Sequence, residues 1–164
     1  MRLAASIDAA GVFAWGPWAP GAVAGGEALF VVGTAAGSID ANFDTRAQLD
    51  VYALSAELSV RRVGSASDAQ RFSAIAWGAG GDDASSLGLV ATGLETGAVK
   101  IFDGGALSGR EAPAPPRDID GAHGGTVAGL AFNAHEGMRS MLASCGSDGV
   151  VKTWDLAREE SAAQ

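Results

Sequence analysis

"ASCGSDGVVKTWDL", Ala143 to Leu156, reads as two short antiparallel strands around an Asp148-Gly149 turn. Small and apolar residues lead into Gly146, and Val150, Val151 and Thr153 climb to Trp154-Asp155. Asp-Gly between apolar runs is a strong hairpin signal, because Gly takes the positive φ that a tight turn needs. Whether this hairpin stands alone or is repeated decides the fold.

It is repeated. "LVATGLETGAVKIFD" (Leu89–Asp103) aligns without gaps on "MLASCGSDGVVKTWD" (Met141–Asp155), 52 positions apart. Ala91 meets Ala143, Gly97 meets Gly149, Val99-Lys100 meets Val151-Lys152, and Phe102 meets Trp154. A third copy begins at "VGTAAGSID" (Val32–Asp40), is delayed by the insert "ANFDTRAQ", and reaches its aromatic at Tyr52. Each hairpin follows another apolar run: "GVFAWGP" (Gly11–Pro17), "RFSAIAWG" (Arg71–Gly78) and "TVAGLAFN" (Thr126–Asn133). "LSVRRVGS" (Leu58–Ser65) and "PRDID" (Pro116–Asp120) supply candidate fourth strands. Four short strands recurring at this spacing make the unit of a β-propeller blade.

The expected fold is therefore all-β, a partial WD-repeat propeller spanning 1–157. Blade one covers about 8–65, blade two about 70–120, blade three about 123–157, and 158–164 form a tail. Helical periodicity is missing, except that "AREESAAQ" could coil into one turn. Blade faces bury one another, so small residues such as Ala91, Ala143 and Gly129 would permit close sheet approach. Trp15 and Trp77, at equivalent strand ends, are expected in the core.

The bulk composition agrees. The chain has 164 residues, 48% of them apolar, 18% charged, and 24 glycines spread between the apolar runs. This suits a turn-rich β protein with a sizeable core. A net charge of −8, with Arg61-Arg62 as the lone basic pair, argues against a nucleic-acid partner. Cys145 is the one cysteine, which rules out an internal disulfide and favours a reducing compartment. Asp8 interrupts the early apolar run before a signal-peptide core is complete, and no stretch is long enough to span a bilayer.

The ordered set "AWGP", "GTAAGSIDANFDTRAQLDVYAL", "RFSAIAWG", "GLVATGLETGAVKIFD" and "HGGTVAGLAFNAHEGMRSMLASCGSDGVVKTWDL" resembles the start of the large Sec-class subunit of the COPII outer coat. The insert-bearing segment carries most of that resemblance, which runs from about residue 7 to 157. "AHGG" and "APAPPRD" depart from the family pattern in the loops. The resemblance implies a structural scaffold in endoplasmic reticulum to Golgi protein transport, three blades of a seven-bladed propeller that forms cage vertices. It further implies partners among the other coat subunits, namely the smaller propeller partner and the inner coat, whose binding segments are expected outside this chain. Peripheral membrane association through the coat and a place on the cytosolic face of exit sites and vesicles complete the expectation. Three blades do not close a ring, which usually takes about four to eight. The chain is accordingly expected to be a fragment with two open apolar faces. The alternative is a generic WD-repeat adaptor, for example one recruiting substrates for ubiquitin ligation.

His123, Ser144 and Asp148 have the composition of a hydrolase triad, but no Gly-x-Ser-x-Gly elbow occurs. The favoured reading is structural: with Trp154 they form a buried hydrogen-bonded network locking a loop to its strands. Blade two lacks it, since Thr96 stands where Asp148 would be. No enzyme, catalytic residue, cofactor or metal is expected. His123, His135 and Cys145 have no ligand spacing, "DIDGAHGG" lacks the closing Glu of a calcium loop, and "GAGGDD" lacks the lysine of a phosphate loop. Trp18, in "GPWAPG", is the candidate protein-contact loop residue.

Overall fold

A computed structural model describes residues 6–7, 11–17, 26–34, 46–81 and 87–157. The described residues build three antiparallel sheets whose order follows the chain. Sheet one runs β1 (Gly11–Trp15), β2 (Ala28–Thr34), β3 (Ala47–Leu54) and β4 (Val60–Asp68). Sheet two runs β5 (Phe72–Gly78), β6 (Leu89–Leu94), β7 (Val99–Asp103) and β8 (Arg117–Ile119). Sheet three runs β9 (Val127–Phe132), β10 (Met141–Gly146) and β11 (Val151–Asp155). This is a partial propeller: every strand pairs with its sequence neighbour inside a sheet, and the sheets stack on one another.

The registers make the repeat explicit. Trp15 lies across from Phe30 and Phe30 from Tyr52. In the same way Trp77, Val90 and Phe102 align in sheet two, and Phe132, Leu142 and Trp154 in sheet three. The hairpin that opened the sequence analysis turns through Ser147–Val150, with Gly149 at φ +77° and its N–H on the Gly146 carbonyl. The turn of the first hairpin and most of its insert lie outside the described residues, as does the 158–164 tail.

Two apolar layers hold the stack. Between sheets one and two, Val31, Leu49 and Val51 meet Phe72, Trp77, Val90, Leu94 and Phe102. Between sheets two and three, Ala91, Val99 and Ile101 meet Val127 and Leu142. Burial on this scale, at about 25 cal/mol per Å² of apolar area, is the main stabilising term.

Two expectations need correction and a third finds its place elsewhere. Ala143 and Gly129 lie on the face of sheet three that no described sheet covers, so the close approach of the described sheets is found at other positions. It falls on Gly33, against Ile75 and Phe72, on Gly78, against the Phe132 ring, and on Gly93, against Val127. Trp15 is not core: it is 54% exposed, whereas its equivalent Trp77 is 8% exposed. The reason is positional, since Trp77 packs on the preceding sheet and no described sheet precedes Trp15. Helix also occurs where none was expected, as one turn, α1 (Gly104–Leu107), started by the Asp103 carboxylate accepting from the Ala106 N–H at 2.8 Å.

Candidate functional site

The four residues of the expected network meet between the loop before β9 and the β10–β11 hairpin. Asp148 sits in the hairpin turn, where its carboxylate accepts the backbone N–H of Gly124 at 2.9 Å and of Val150 at 3.1 Å. These two bonds, in that order, are the main reason its carboxyl is held below the ordinary Asp value, with His123 adding to the effect. His123 Nδ1 lies 3.2 Å from both Asp148 oxygens, which places the ring proton on Nδ1. His123 Nε2 then accepts from the Ser144 hydroxyl at 2.7 Å, and the Ser144 oxygen accepts from the Trp154 indole N–H at 2.9 Å. The relay is complete: indole donates to hydroxyl, hydroxyl to imidazole and imidazole to the accepting carboxylate.

Local sequence makes this geometry attainable. Gly146 is required where His123 approaches, since a Cβ there would stand 2.7 Å from Nδ1. Ser144 and Trp154 project to one face because they are flanking positions of paired strands, Leu142 lying across from Trp154 and Ser144 across from Lys152. The loop is also tied backward to sheet two, for the His123 N–H donates to the Gly97 carbonyl at 2.9 Å.

The order Asp–His–Ser imitates a hydrolytic triad, but its surroundings differ from one. His123 is 3% exposed and Ser144 is 2% exposed, and the hydroxyl already has both neighbours. A nucleophile needs a reachable oxygen and donors aimed at a developing oxyanion. What the arrangement can do is fasten a loop to two strands with no buried polar atom left over. Among the described residues every buried side-chain nitrogen and oxygen has a partner, and no group of three His, Cys, Asp or Glu side chains is placed to hold a metal.

Sheet two replaces the network with simpler bonds. Thr96 donates its hydroxyl to the Gln70 side-chain oxygen at 2.6 Å, and buried Thr92 stands at the Ser144 position. Trp18 lies outside the described residues. Two features escaped the sequence reading. One is the ion pair between Lys100 of β7 and Asp68 at the end of β4, which links sheet two to sheet one. The other is an aromatic ladder on the open face of sheet one, Trp15 and Phe30 at 5.2 Å and Phe30 stacked on Tyr52 at 5.4 Å. The first joins residues 32 apart in sequence and has no local signal. The ladder's spacing was readable only once the strands were paired.

No family model matches the chain. Among curated proteins it is similar to the protein transport protein SEC31 of Chaetomium globosum, 32% identical over 91% of this chain and 11% of that one. SEC31 homolog B of Arabidopsis thaliana is 33% identical over 77% of this chain. SEC31 of Dictyostelium discoideum is 28% identical over 85%. The chain thus spans about a tenth of the length of the curated relatives it matches. Among solved structures it resembles a chain of the COPII outer coat vertex on membranes, with TM-score 0.63 and 25% identity over 90% of this chain and 34% of that one. A chain of Chaetomium thermophilum Sqt1, solved bound to the N-terminus of ribosomal protein L10, shares the fold with TM-score 0.52 and 24% identity over 78% of this chain and 28% of that one.

Proposed function

The chain is a SEC31-like stretch of WD-repeat propeller, and from that premise we propose that it is a scaffold element of a COPII-type vesicle coat in protein transport. The single observation that carries this reading is the joint likeness, in sequence to SEC31 proteins and in fold to the outer coat vertex, along nine-tenths of the chain. Its polar chemistry supports the same reading. The His123 network and the Lys100–Asp68 pair spend their groups on holding loops and sheets in place. The mechanism is assembly: stacked sheets present loops to neighbouring coat components, and no covalent bond changes. Attachment to the cytosolic face of the endoplasmic reticulum through other coat subunits belongs to the same reading; among the described residues no helix is long and apolar enough to cross a membrane.

The test is to tag the gene product that contains this sequence and image it with a coat marker in living cells. Punctate co-localisation at endoplasmic reticulum exit sites is the expected result. A diffuse or nuclear distribution that ignores a block in export sinks the reading.

A further inference from the structure

The connection from β7 to β8 carries Pro113, Pro115 and Pro116 in the run "REAPAPPRD", Arg110 to Asp118. Proline fixes its own φ near about −65° and pushes the residue before it out of the helical region into extended backbone. Applied in turn to Ala112-Pro113, Ala114-Pro115 and Pro115-Pro116, these restraints hold 112–116 in polyproline II form before any partner arrives. The segment lies outside every helix and strand, and both of its ends are tied. Ahead of it, the Gly105 carbonyl of α1 accepts the N–H groups of Arg110 at 3.0 Å and Glu111 at 3.2 Å, and the Glu111 side chain lies over Gly105. After it, Arg117 opens β8 across from Ile101.

Residues 109–115 are exposed and Pro116 is half-buried. Sheet two is covered on both faces, by sheet one and by sheet three, so this exposure is not that of an uncovered sheet face. Polyproline II has about three residues per turn, so positions three apart share an edge. Pro113 and Pro116 therefore lie on one edge and Ala112 and Pro115 on the next, giving two successive X-Pro ridges, with Ala114 between them on the third. Arg110, in the bend just ahead, stands three positions before Pro113 and places a cation at the N-terminal end.

We propose that Arg110–Pro116 is a docking segment for a proline-recognising module of the SH3 type. Ala112-Pro113 and Pro115-Pro116 enter its two aromatic-lined grooves, and Arg110 meets carboxylates beside them. Because folding already fixes this backbone, little ordering is left to oppose binding. The spacing Arg-x-x-Pro-x-x-Pro sets the direction, basic end first. The opposite direction would need Arg117, whose backbone is committed to β8 and whose guanidinium lies 3.5 Å from the Leu156 carbonyl. The inference goes beyond the scaffold reading and does not rest on it, since "APAPPRD" is where the loop departs from the family pattern.

The probe is a purified, isotope-labelled SH3 domain that takes its ligands basic end first. Titrated with the unlabelled 164-residue chain, it should show shifts confined to its aromatic grooves and their acidic rim. Pro113→Ala and Arg110→Glu in the chain should each weaken binding about tenfold. Ala114→Gln and Arg117→Gln should leave it unchanged. With the label on the chain instead, shifts should fall between Gly105 and Arg117 while the strand amides stay dispersed. No shift in the SH3 domain overturns the proposal, as does binding that survives both Pro113→Ala and Arg110→Glu. So does dependence on Arg117 in place of Arg110. Binding of a capped Arg110–Arg117 peptide but not of the chain, or only of a chain whose strand amides are not dispersed, overturns it too, because the folded loop would then not be the ligand.

Discussion

The Trp77 indole lies over Gly16 of the preceding sheet, so that a Cβ on that glycine would stand 3.4 Å from Trp77 Cε3. The same relation recurs one sheet on, where the Phe132 ring covers Gly78. Aromatic knob on glycine is thus the unit by which one sheet seats on the next.

Gly78→Ala should destabilise the protein by about 1–3 kcal/mol, since the added methyl would overlap the ring and first side-chain carbon of Phe132. Gly81→Ala, which meets nothing within 4 Å, should be close to neutral. Urea midpoints at unchanged slope measure both. Equal midpoints for the two variants would show that the sheets are not in this contact.

Trp15 and Trp77 hold equivalent places and should respond differently. Trp77→Ala should cost about 3–5 kcal/mol, because the residue is buried and its indole N–H donates to the Leu87 carbonyl at 2.7 Å. Trp15→Ala should cost about 1 kcal/mol, mainly its packing on Phe30. Both are read from the same denaturation curves, and a Trp15 cost as large as that of Trp77 would mean that its face is covered in solution.

Ser144→Ala leaves the buried His123 Nε2 and the half-buried Trp154 N–H without the oxygen between them. A buried group so orphaned costs about 1–3 kcal/mol. The loss should be local, with amide exchange accelerating in β10 and β11 well before it does in β2 and β3. Uniform acceleration across all three sheets would contradict a network that fastens one hairpin.

Acid should loosen the same hairpin. The Asp148 carboxyl is depressed by the Gly124 and Val150 N–H groups, so its folded value lies below its unfolded one. A depressed carboxyl contributes stability above the unfolded value, near 3.8, and loses it as pH falls through the folded value. Asp148→Asn should flatten the stability profile below about pH 4 and lower the plateau above it. Lys100 acts at the other end: its hydrogen bond to Asp68 raises its pKa above 10.5. That contribution is present below 10.5 and fades as pH climbs through the raised value. Lys100→Met should remove the alkaline part of the profile, which thermal melts between pH 8 and about 12 would reveal.

Much of the architecture was legible in the chain because strand pairing leaves a local trace. A run of alternating residues, a Gly-bearing turn and an aromatic ending recur 52 positions apart, and each repeat folds against its own neighbours. The His123, Ser144, Asp148 and Trp154 set was legible for a related reason, since three of the four lie within one hairpin and the fourth in the loop before it. The sequence could not rank Trp15 against Trp77, find Asp68 for Lys100, or tell Gly33 and Gly93 from the turn glycines. Those facts belong to the stacking of one sheet on another, where residues distant along the chain compete for the same space. Alternation of side chains thus determined which residues share a face, and only tertiary packing decided which of those faces is covered.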